Sequence, residues 1–381
     1  MVQSLPNQLR IGIIGGGQLG CMLMEEGFRY DLHFNTLDNE DAPARHLARN
    51  HIHGSLQDEL AIRTLALESD ILTYEIEHIS LNALQKLESE GKEIIPSASV
   101  LQIIQDKGLQ KLFYQKNNIT SPDFRLVKKA DDWASALHEL SNPQTFVAKT
   151  CKGGYDGKGV RICKAGDSPM AGSFVLEHFV ECEKELSVIV GVDRLGKAKC
   201  FPVVEMVFDP KLNLVDTLLC PARIPESILK EAEQIAISVA KALGSPGLFA
   251  IELFLDKNGK LWVNETAPRP HNSGHHTIES CVTSQYEQLI RILCGWPLGD
   301  TTSISPATMI NIIGPEGLTG KYQLTNLGIL LGMPGIYIHL YGKTETRPGR
   351  KLGHITVMAE TVEEVLKKTN EVKVLLAIQA A

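Results

Sequence analysis

Phe249-Ala-Ile-Glu-Leu-Phe-Leu255, Asp256-Lys-Asn-Gly-Lys260 and Leu261-Trp-Val-Asn-Glu265 follow one another without a break. The two outer segments read as strands, and the Asn-Gly between them is a strong hairpin turn. Folding there brings Glu252 close to the Asn264–Glu265 pair on the neighbouring strand. A carboxylate between Ile251 and Leu253 is costly to bury unless a cation or a hydrogen-bond network satisfies it. Two carboxylates and an amide oxygen suit Mg²⁺ held against substrate phosphates, because that hard ion takes oxygen ligands and keeps some of its water. A plain half-buried hairpin with its acids in solvent fits these residues equally well. The surrounding sequence decides between the two.

At 381 residues the chain should form two or three domains. Its 43% hydrophobic and 22% charged content is that of an ordinary globular protein. A formal charge of −7, from 38 basic and 45 acidic residues, argues against a general nucleic-acid binder. The opening residues lack a charged leader and an apolar signal core, and no stretch approaches the roughly 20 apolar residues of a membrane span. Eight scattered cysteines without a C-x-x-C read as reduced thiols. The expectation is a cytoplasmic protein that uses neither membrane nor nucleic acid.

Residues 1–100 alternate strand and helix. Strands are expected at 9–14, 33–37, 70–74 and 93–96, with helices from Gln18, over 58–68 and from Ser80. This βαβ rhythm predicts a small doubly wound parallel sheet. From 101 to about 300 the pattern changes to helices at 98–104 and 106–117, then strands at 145–150, 160–164, 173–177, 185–192 and 199–208. A helix over 225–243 leads to the hairpin. Residues 301–381 carry three further strands and a closing helix near Thr361, as a small β-rich domain.

Two glycine loops stand out. Gly15-Gly-Gly-Gln-Leu-Gly20 follows a strand and opens a helix, with Asp38 ending the next strand. That is the layout of a dinucleotide-binding fingerprint, although any small anion can use such amides. Gln18 is unusual there and its amide suits a polar substrate group. Lys149-Thr-Cys-Lys-Gly-Gly-Tyr-Asp-Gly-Lys-Gly159 lies between two strands, with four glycines and three lysines. Such a loop suits a triphosphate and can close as a lid. It is not a Walker A loop. Next, Phe174-Val-Leu-Glu-His-Phe-Val180 is an extended segment able to offer backbone groups to an adenine edge, and Glu185 can accept from ribose hydroxyls.

Taken in order, these motifs resemble the ATP-grasp superfamily, which clamps ATP between two α+β subdomains. Asn264-Glu-Thr-Ala-Pro-Arg-Pro-His-Asn-Ser-Gly-His275 and Tyr341-Gly-Lys-Thr-Glu-Thr-Arg-Pro-Gly-Arg-Lys-Leu-Gly-His354 narrow the likeness to the 5-(carboxyamino)imidazole ribonucleotide synthetases. The resemblance covers nearly the whole chain. It implies an α/β and α+β protein with an N-terminal doubly wound domain, an ATP-grasp region with a lid subdomain at about 120–182, and a C-terminal domain. It also implies a carbon–nitrogen ligase of purine biosynthesis, dimeric, using ATP and Mg²⁺ to join bicarbonate to the amine of 5-aminoimidazole ribonucleotide through carboxyphosphate.

Carried onto this chain, the resemblance gives Lys107 and Lys149 to the ATP phosphates and Gly153, Gly154, Tyr155, Asp156, Gly157, Lys158 and Gly159 to the lid. Glu177, His178, Phe179 and Val180 would hold adenine, and Glu185 the ribose. Glu252 and Glu265 would ligate Mg²⁺, with Asn264 beside the phosphates. Gln18, Tyr155, Asp156, Arg269, His271, Asn272 and Ser273 would meet the ribonucleotide, and Lys343, Arg350 and Lys351 its phosphate or the carboxylation site. Asp156 would contact the amine, while Arg269 and Lys351 steady the bicarbonate-derived oxygens. Members of the family often carry a histidine where this chain has Phe208, which receives no role. His275 and His276 lack a third ligand for a transition metal. Two alternatives remain. A nicotinamide-dependent oxidoreductase would use Gly15–Gly20 and Asp38 but leave the lysine loop idle. A formate-dependent transferase of the same superfamily shares the ATP site and the Pro-Arg-Pro-His-Asn-Ser-Gly-His run.

Overall fold

The computed structural model describes residues 9–129, 132–141, 143–154, 159–209 and 214–381. In the N-terminal part β1 (Arg10–Ile14), β2 (His33–Asp38), β3 (Asn50–His53), β4 (Ile71–Tyr74) and β5 (Glu93–Ile94) form a parallel sheet in the order β3-β2-β1-β4-β5. The crossovers are α1 (Gln18–Phe28), α2 (Glu59–Leu67) and α3 (Leu81–Ser89). Ile11 and Ile13 pack with α1, while Ile14, Leu37 and Leu72 pack with α2 and α3, so the sheet is buried on both faces. Ser80 caps α3 through the amide of Ala83, as its position before the apolar run requires. The expected doubly wound sheet is present with one extra strand: the edge strand β3 is polar and largely solvent-facing, which hid it.

Two helices, α4 (Ala98–Ile104) and α5 (Lys107–Lys116), lead out of this sheet. Asp106 caps α5 by accepting from the amides of Gly108 and Leu109. A four-stranded antiparallel sheet follows, made of β6 (Phe124–Val127), β7 (Thr145–Thr150), β8 (Val160–Lys164) and β9 (Phe174–His178) in the order β6-β9-β7-β8. The helix α6 (Trp133–Glu139) backs it, and Trp133 meets Phe146 and Phe174 edge-on.

The large sheet has nine strands. It contains β10 (Cys182–Val192), β11 (Ala198–Cys200), β12 (Val204–Asp209), β13 (Leu214–Cys220), β14 (Gly247–Asp256), β15 (Leu261–Ala267) and β16 (Ala307–Ile313). The single strand expected at 199–208 is two, broken at Phe201–Val203, and both pieces pair with the edge of β10 opposite β14. Along the helix α7 (Glu226–Ala242), Ala232, Ala236, Val239 and Ala240 recur on one face and are fully buried. These small side chains let α7 lie close against Leu186, Val188, Leu253 and Val263 of β10, β14 and β15. The opposite face of the same strands carries the site.

Past α8 (Thr277–Ser280) and α9 (Gln285–Leu293), the C-terminal part has its own core around Ile312, Leu330, Leu352 and Val372 but shares the large sheet. The strands β18 (Ile336–Leu340) and β20 (Lys351–Met358) join β16 and extend the large sheet in the order β13-β16-β20-β18. Only β17 (Gly320–Thr325), β19 (Glu345–Thr346) and β21 (Ala377–Ala380) form a small separate sheet, beside α10 (Leu327–Leu331) and α11 (Val362–Leu375). Among the described residues no helix is long and apolar enough to cross a membrane.

The alanine stripe yields a test. Ala236→Leu should overpack the α7 contact and lower stability by about 1–3 kcal/mol, whereas Lys230→Ala on the exposed face should change it by less than about 0.5 kcal/mol. Urea unfolding of the two variants beside the parent chain measures both.

Candidate active site

Glu252 in β14 stands directly opposite Glu265 in β15. The register slips just after Glu252, so that Leu253 faces Val263 and Asn264 is an extra residue on its strand. Such a bulge re-aims side chains, and here Asn264 and Glu265 both reach the same cluster. Lys107, at the start of α5, forms an ion pair with Glu265. Lys149, near the end of β7, donates to the Asn264 side-chain oxygen at 2.8 Å. Like charges set opposite each other on a sheet repel. Burial, together with repulsion from Glu265 and Glu185, holds Glu252 well above the usual carboxylate range. The Lys107 charge pulls Glu265 the other way, against its own burial. One carboxyl is therefore short of positive charge and the other has a lysine.

This donor set fits Mg²⁺. Among the described residues no group of three or more His, Cys, Asp or Glu side chains is arranged to hold a metal alone. Two carboxylates and an amide oxygen leave positions for water and phosphate, as that ion prefers. A dication would also relieve the repulsion that Glu252 feels.

Behind the pair lies a buried cluster. Glu177, 1% exposed, meets Lys149 at 3.1 Å and Lys111 at 3.3 Å. Burial opposes the Glu177 charge, yet the two lysines outweigh it and hold the carboxyl low. For Lys111 burial wins, lowering its ammonium to about 8. Glu177, expected at the adenine, turns its carboxylate toward the two lysines. Lys111 went unnoticed because it looks like one more lysine on an amphipathic helix, although it lies one turn after Lys107 on the same face.

Phe179, Val180 and Glu181 form an unpaired hinge between β9 and β10, outside both sheets. The backbone amide of His178, just before it, is already donated to Asp123. A pocket of about 540 Å³ lies between this hinge, Pro122–Asp123 and the hairpin turn at Asp256–Asn258; its walls include neither Glu252 nor Glu265. Glu185 faces the same cleft as Glu252, and burial pushes it up to about 7 against the pull of Lys149. Gly153, Gly154 and Gly159 flank the tip of the β7–β8 hairpin. Tyr155, Asp156, Gly157 and Lys158, assigned from sequence to the lid, lie outside the described residues.

The N-terminal glycine loop is not an anion cradle. The Gly16 amide donates to Asp38 at 2.7 Å and the Gly17 amide to Glu75 at 2.7 Å. Two amides that would hold a pyrophosphate already hold carboxylates, which would repel one. Asp38, which completes the fingerprint, is occupied by the loop. These contacts overturn the nicotinamide alternative. They lie where the loops after β1 and β4 meet, at the point where strand order reverses and such sheets place ligands. Burial pushes Glu75 there to about 7. Two residues further, Glu77 pairs with Arg269 at 2.8 Å. An acid pair directly after a buried strand is the sequence signal that marks Glu75 and Glu77.

Other assigned residues divide. His271 faces Glu252 at 3.5 Å through Nε2, while its Nδ1 accepts from the Ser273 amide and lies 2.9 Å from the Ser273 hydroxyl. Ser273 is buried and reaches Ser187 at 2.7 Å, so it orients His271 rather than offering itself to a ligand. Asn272 exchanges amide hydrogen bonds with Asn311 of β16 at 2.8 and 3.0 Å. Its amide is thus committed to the sheet, unlike the expected substrate contact. Gln18 opens α1 and is partly exposed. Lys343 is held low by burial and by Arg350, and feels Glu75 and Asp38 across the cleft. Arg350 donates to the Glu345 carbonyl of its own loop at 2.8 Å, and Lys351 begins β20. Phe208 packs against the Val204–Met206 cluster. His276 meets Ser280 at 2.8 Å, a polar contact inside the fold.

Three family models match this chain: the ribonucleotide synthetase preATP-grasp domain over residues 9–105, the ATP-grasp domain over 112–286, and the phosphoribosylaminoimidazole carboxylase C-terminal domain over 307–368. The chain is 38% identical to the N5-carboxyaminoimidazole ribonucleotide synthase of Bacillus subtilis, covering 94% of this chain and 93% of that one. It is similar in structure to the N5-carboxyaminoimidazole ribonucleotide synthetase of Thermotoga maritima, with a TM-score of 0.90 at 44% identity, over 98% of this chain and all of the other. It is also similar to the Aspergillus clavatus N5-carboxyaminoimidazole synthase in complex with ADP and 5-aminoimidazole ribonucleotide, with a TM-score of 0.87 at 30% identity, over 96% and 98% of the two chains. The chain spans 65–69% of the length of the plant and fungal phosphoribosylaminoimidazole carboxylases it matches at 34–36% identity.

Removing one partner of a buried ion pair typically costs about 3–5 kcal/mol, and Glu177 would keep Lys149, so Lys111→Met should cost roughly 2 kcal/mol. Adding Glu177→Gln should deepen that loss, because buried Lys149 then keeps only the neutral Asn264 oxygen in place of a carboxylate. Denaturation midpoints of the single and double variants test the cluster.

Proposed function

This chain belongs to the N5-carboxyaminoimidazole ribonucleotide synthases of the ATP-grasp superfamily, and we propose that it carboxylates the exocyclic amine of 5-aminoimidazole ribonucleotide at the expense of ATP. The observation that carries the reading is the opposed Glu252–Glu265 pair, with Lys107 on one carboxylate and Lys149 on the amide between them. Lys107 and Lys149 would turn from these carboxyl and amide oxygens to the β- and γ-phosphates. The Phe179–Val180 hinge would offer its backbone to adenine, and Glu185 would accept from the ribose. Glu252 and Glu265, with Asn264 alongside, would hold Mg²⁺, which when bound neutralises phosphate charge.

A bicarbonate oxygen attacks the γ-phosphorus, a new O–P bond forms, and the bond to ADP breaks. Positioning and charge neutralisation supply most of the catalysis in such transfers. The resulting carboxyphosphate loses phosphate as its C–O bond breaks, leaving CO₂ in the closed site. The ribonucleotide amine donates its electron pair to that carbon and gives up a proton. Arg269 and Lys351 would steady the carboxylate oxygens, with Glu77 aiming Arg269 and Ser273 aiming His271. Asp156 would contact the amine as the lid closes. Lys343 and Arg350 would meet the ribonucleotide phosphate, beside Gln18. A homodimer and a reducing, cytoplasmic setting belong to the same proposal; the exposed apolar side chains of Ile329, Leu331, Tyr337 and Leu340 on α10 and β18, and eight free cysteines, support them.

Incubation with Mg²⁺, ATP, bicarbonate and 5-aminoimidazole ribonucleotide should release ADP only when all are present. Release that needs formate and not bicarbonate would move the assignment to the transferase. Glu265→Ala should lower turnover by at least about 100-fold while the protein stays folded, since Glu252 loses a repelling neighbour. Undiminished ADP release in that variant would remove Glu265 from the site.

A further inference from the structure

Two motifs in this chain end in Gly-His, Asn272-Ser-Gly-His275 and Lys351-Leu-Gly-His354. The mechanism uses neither histidine, yet they are 1% and 0% exposed. Their rings stack with centroids 4.6 Å apart and planes inclined by 24°. His339, the cross-strand neighbour of His354 in β18, also stacks on it at 4.4 Å and 6°. Each ring is held at its edge as well. The Tyr286 hydroxyl lies 3.1 Å from Nδ1 of His275, the Tyr341 hydroxyl 2.8 Å from Nδ1 of His354, and a Glu279 carboxylate oxygen 2.7 Å from Nε2 of His339.

The glycines make these contacts possible. A Cβ on Gly353 would come within 2.3 Å of the His339 carbonyl oxygen, and one on Gly274 within 2.5 Å of the Gln285 side chain. Burial holds the His275 and His354 rings neutral, so no charge opposes their stacking. The His354 ring is held by its two stacking neighbours and by Tyr341. Its Nε2 is buried with no hydrogen-bond partner among the described residues, a cost that an apolar ring would avoid.

The column joins the two elements that carry the proposed carboxylation groups. His275 closes the loop that bears Arg269 and His271, and His354 lies three residues beyond Lys351 on β20. Lys107, Lys149, Glu252 and Glu265 belong to α5, β7, β14 and β15, which contribute no ring to it. We propose that His354 is a positioning residue whose stack between His275 and His339 sets the spacing of Lys351 from the Arg269–His271 loop, and so serves the ribonucleotide half of the reaction but not the nucleotide half. The inference rests on the assignment of Lys351 to that half.

The test compares His354→Ala, His354→Phe and Lys351→Ala in the full chain, with kinetic constants for both substrates and ADP affinity by calorimetry. A misplacement near 1 Å can cost about 100-fold in rate, so His354→Ala should lower kcat/KM for the ribonucleotide by about 10- to 100-fold, with ADP affinity within about twofold of the parent. His354→Phe, which keeps a flat ring in the stack, should recover most of the loss. If ADP affinity falls in parallel, the ring has a merely structural role and the proposal is wrong. It is equally wrong if Lys351→Ala impairs the ribonucleotide half and His354→Ala does not. Should Lys351→Ala leave the ribonucleotide constants unchanged, the fault lies in the assignment of Lys351, and the positioning role falls with it. If His354→Ala does not fold, His339→Ala at the partly exposed end of the column takes its place, with a smaller loss expected in the same direction.

Discussion

Two carboxylates held face to face on neighbouring strands repel each other, and much of this molecule is arranged around that repulsion. The hairpin turn and the bulge at Asn264 bring Glu252 and Glu265 together on one face of the large sheet. The alanine-lined helix seals the other face, which fixes the strands and prevents the acids from drifting apart. Lys107 answers one carboxylate, and the second is left raised and in need of a cation. An uncompensated buried charge is expensive unless something binds there.

Four parts of the chain converge on this region. The start of α5 supplies Lys107 and Lys111, and the four-stranded sheet supplies Lys149 and Glu177. The N-terminal sheet delivers Glu75 and Glu77 at its switch point, the latter gripping Arg269. The C-terminal strands bring Lys343, Arg350 and Lys351 from the far side. Because β16, β20 and β18 continue the large sheet, these cations are built onto the same rigid layer as the carboxylates. A site assembled this way can hold a nucleotide and a small anionic substrate at a fixed separation.

Much of this was legible in the sequence, for physical reasons. The hairpin announced itself through Asn-Gly between apolar runs, and the βαβ rhythm through fully buried strands. What escaped was set by tertiary context. The N-terminal glycine loop matches an anion-binding pattern, but whether its amides are free depends on Asp38 and Glu75, which are distant in sequence. Asn272 and Ser273 sit in a motif rich in polar groups; only the fold reveals that Asn311 and Ser187 have taken them. Glu177 belongs to two lysines from separate elements. The edge strand β3 and the continuity of the C-terminal strands with the large sheet depend on pairing, which periodicity does not encode.

The account stands or falls on whether the opposed acids hold a metal together with nucleotide. Titration of Mn²⁺ followed by electron paramagnetic resonance, in the presence and absence of ADP, measures this directly. The account predicts one tight Mn²⁺ site that forms only with ADP in the parent protein and disappears in Glu252→Gln. An ADP-dependent site of unchanged affinity in that variant would contradict it.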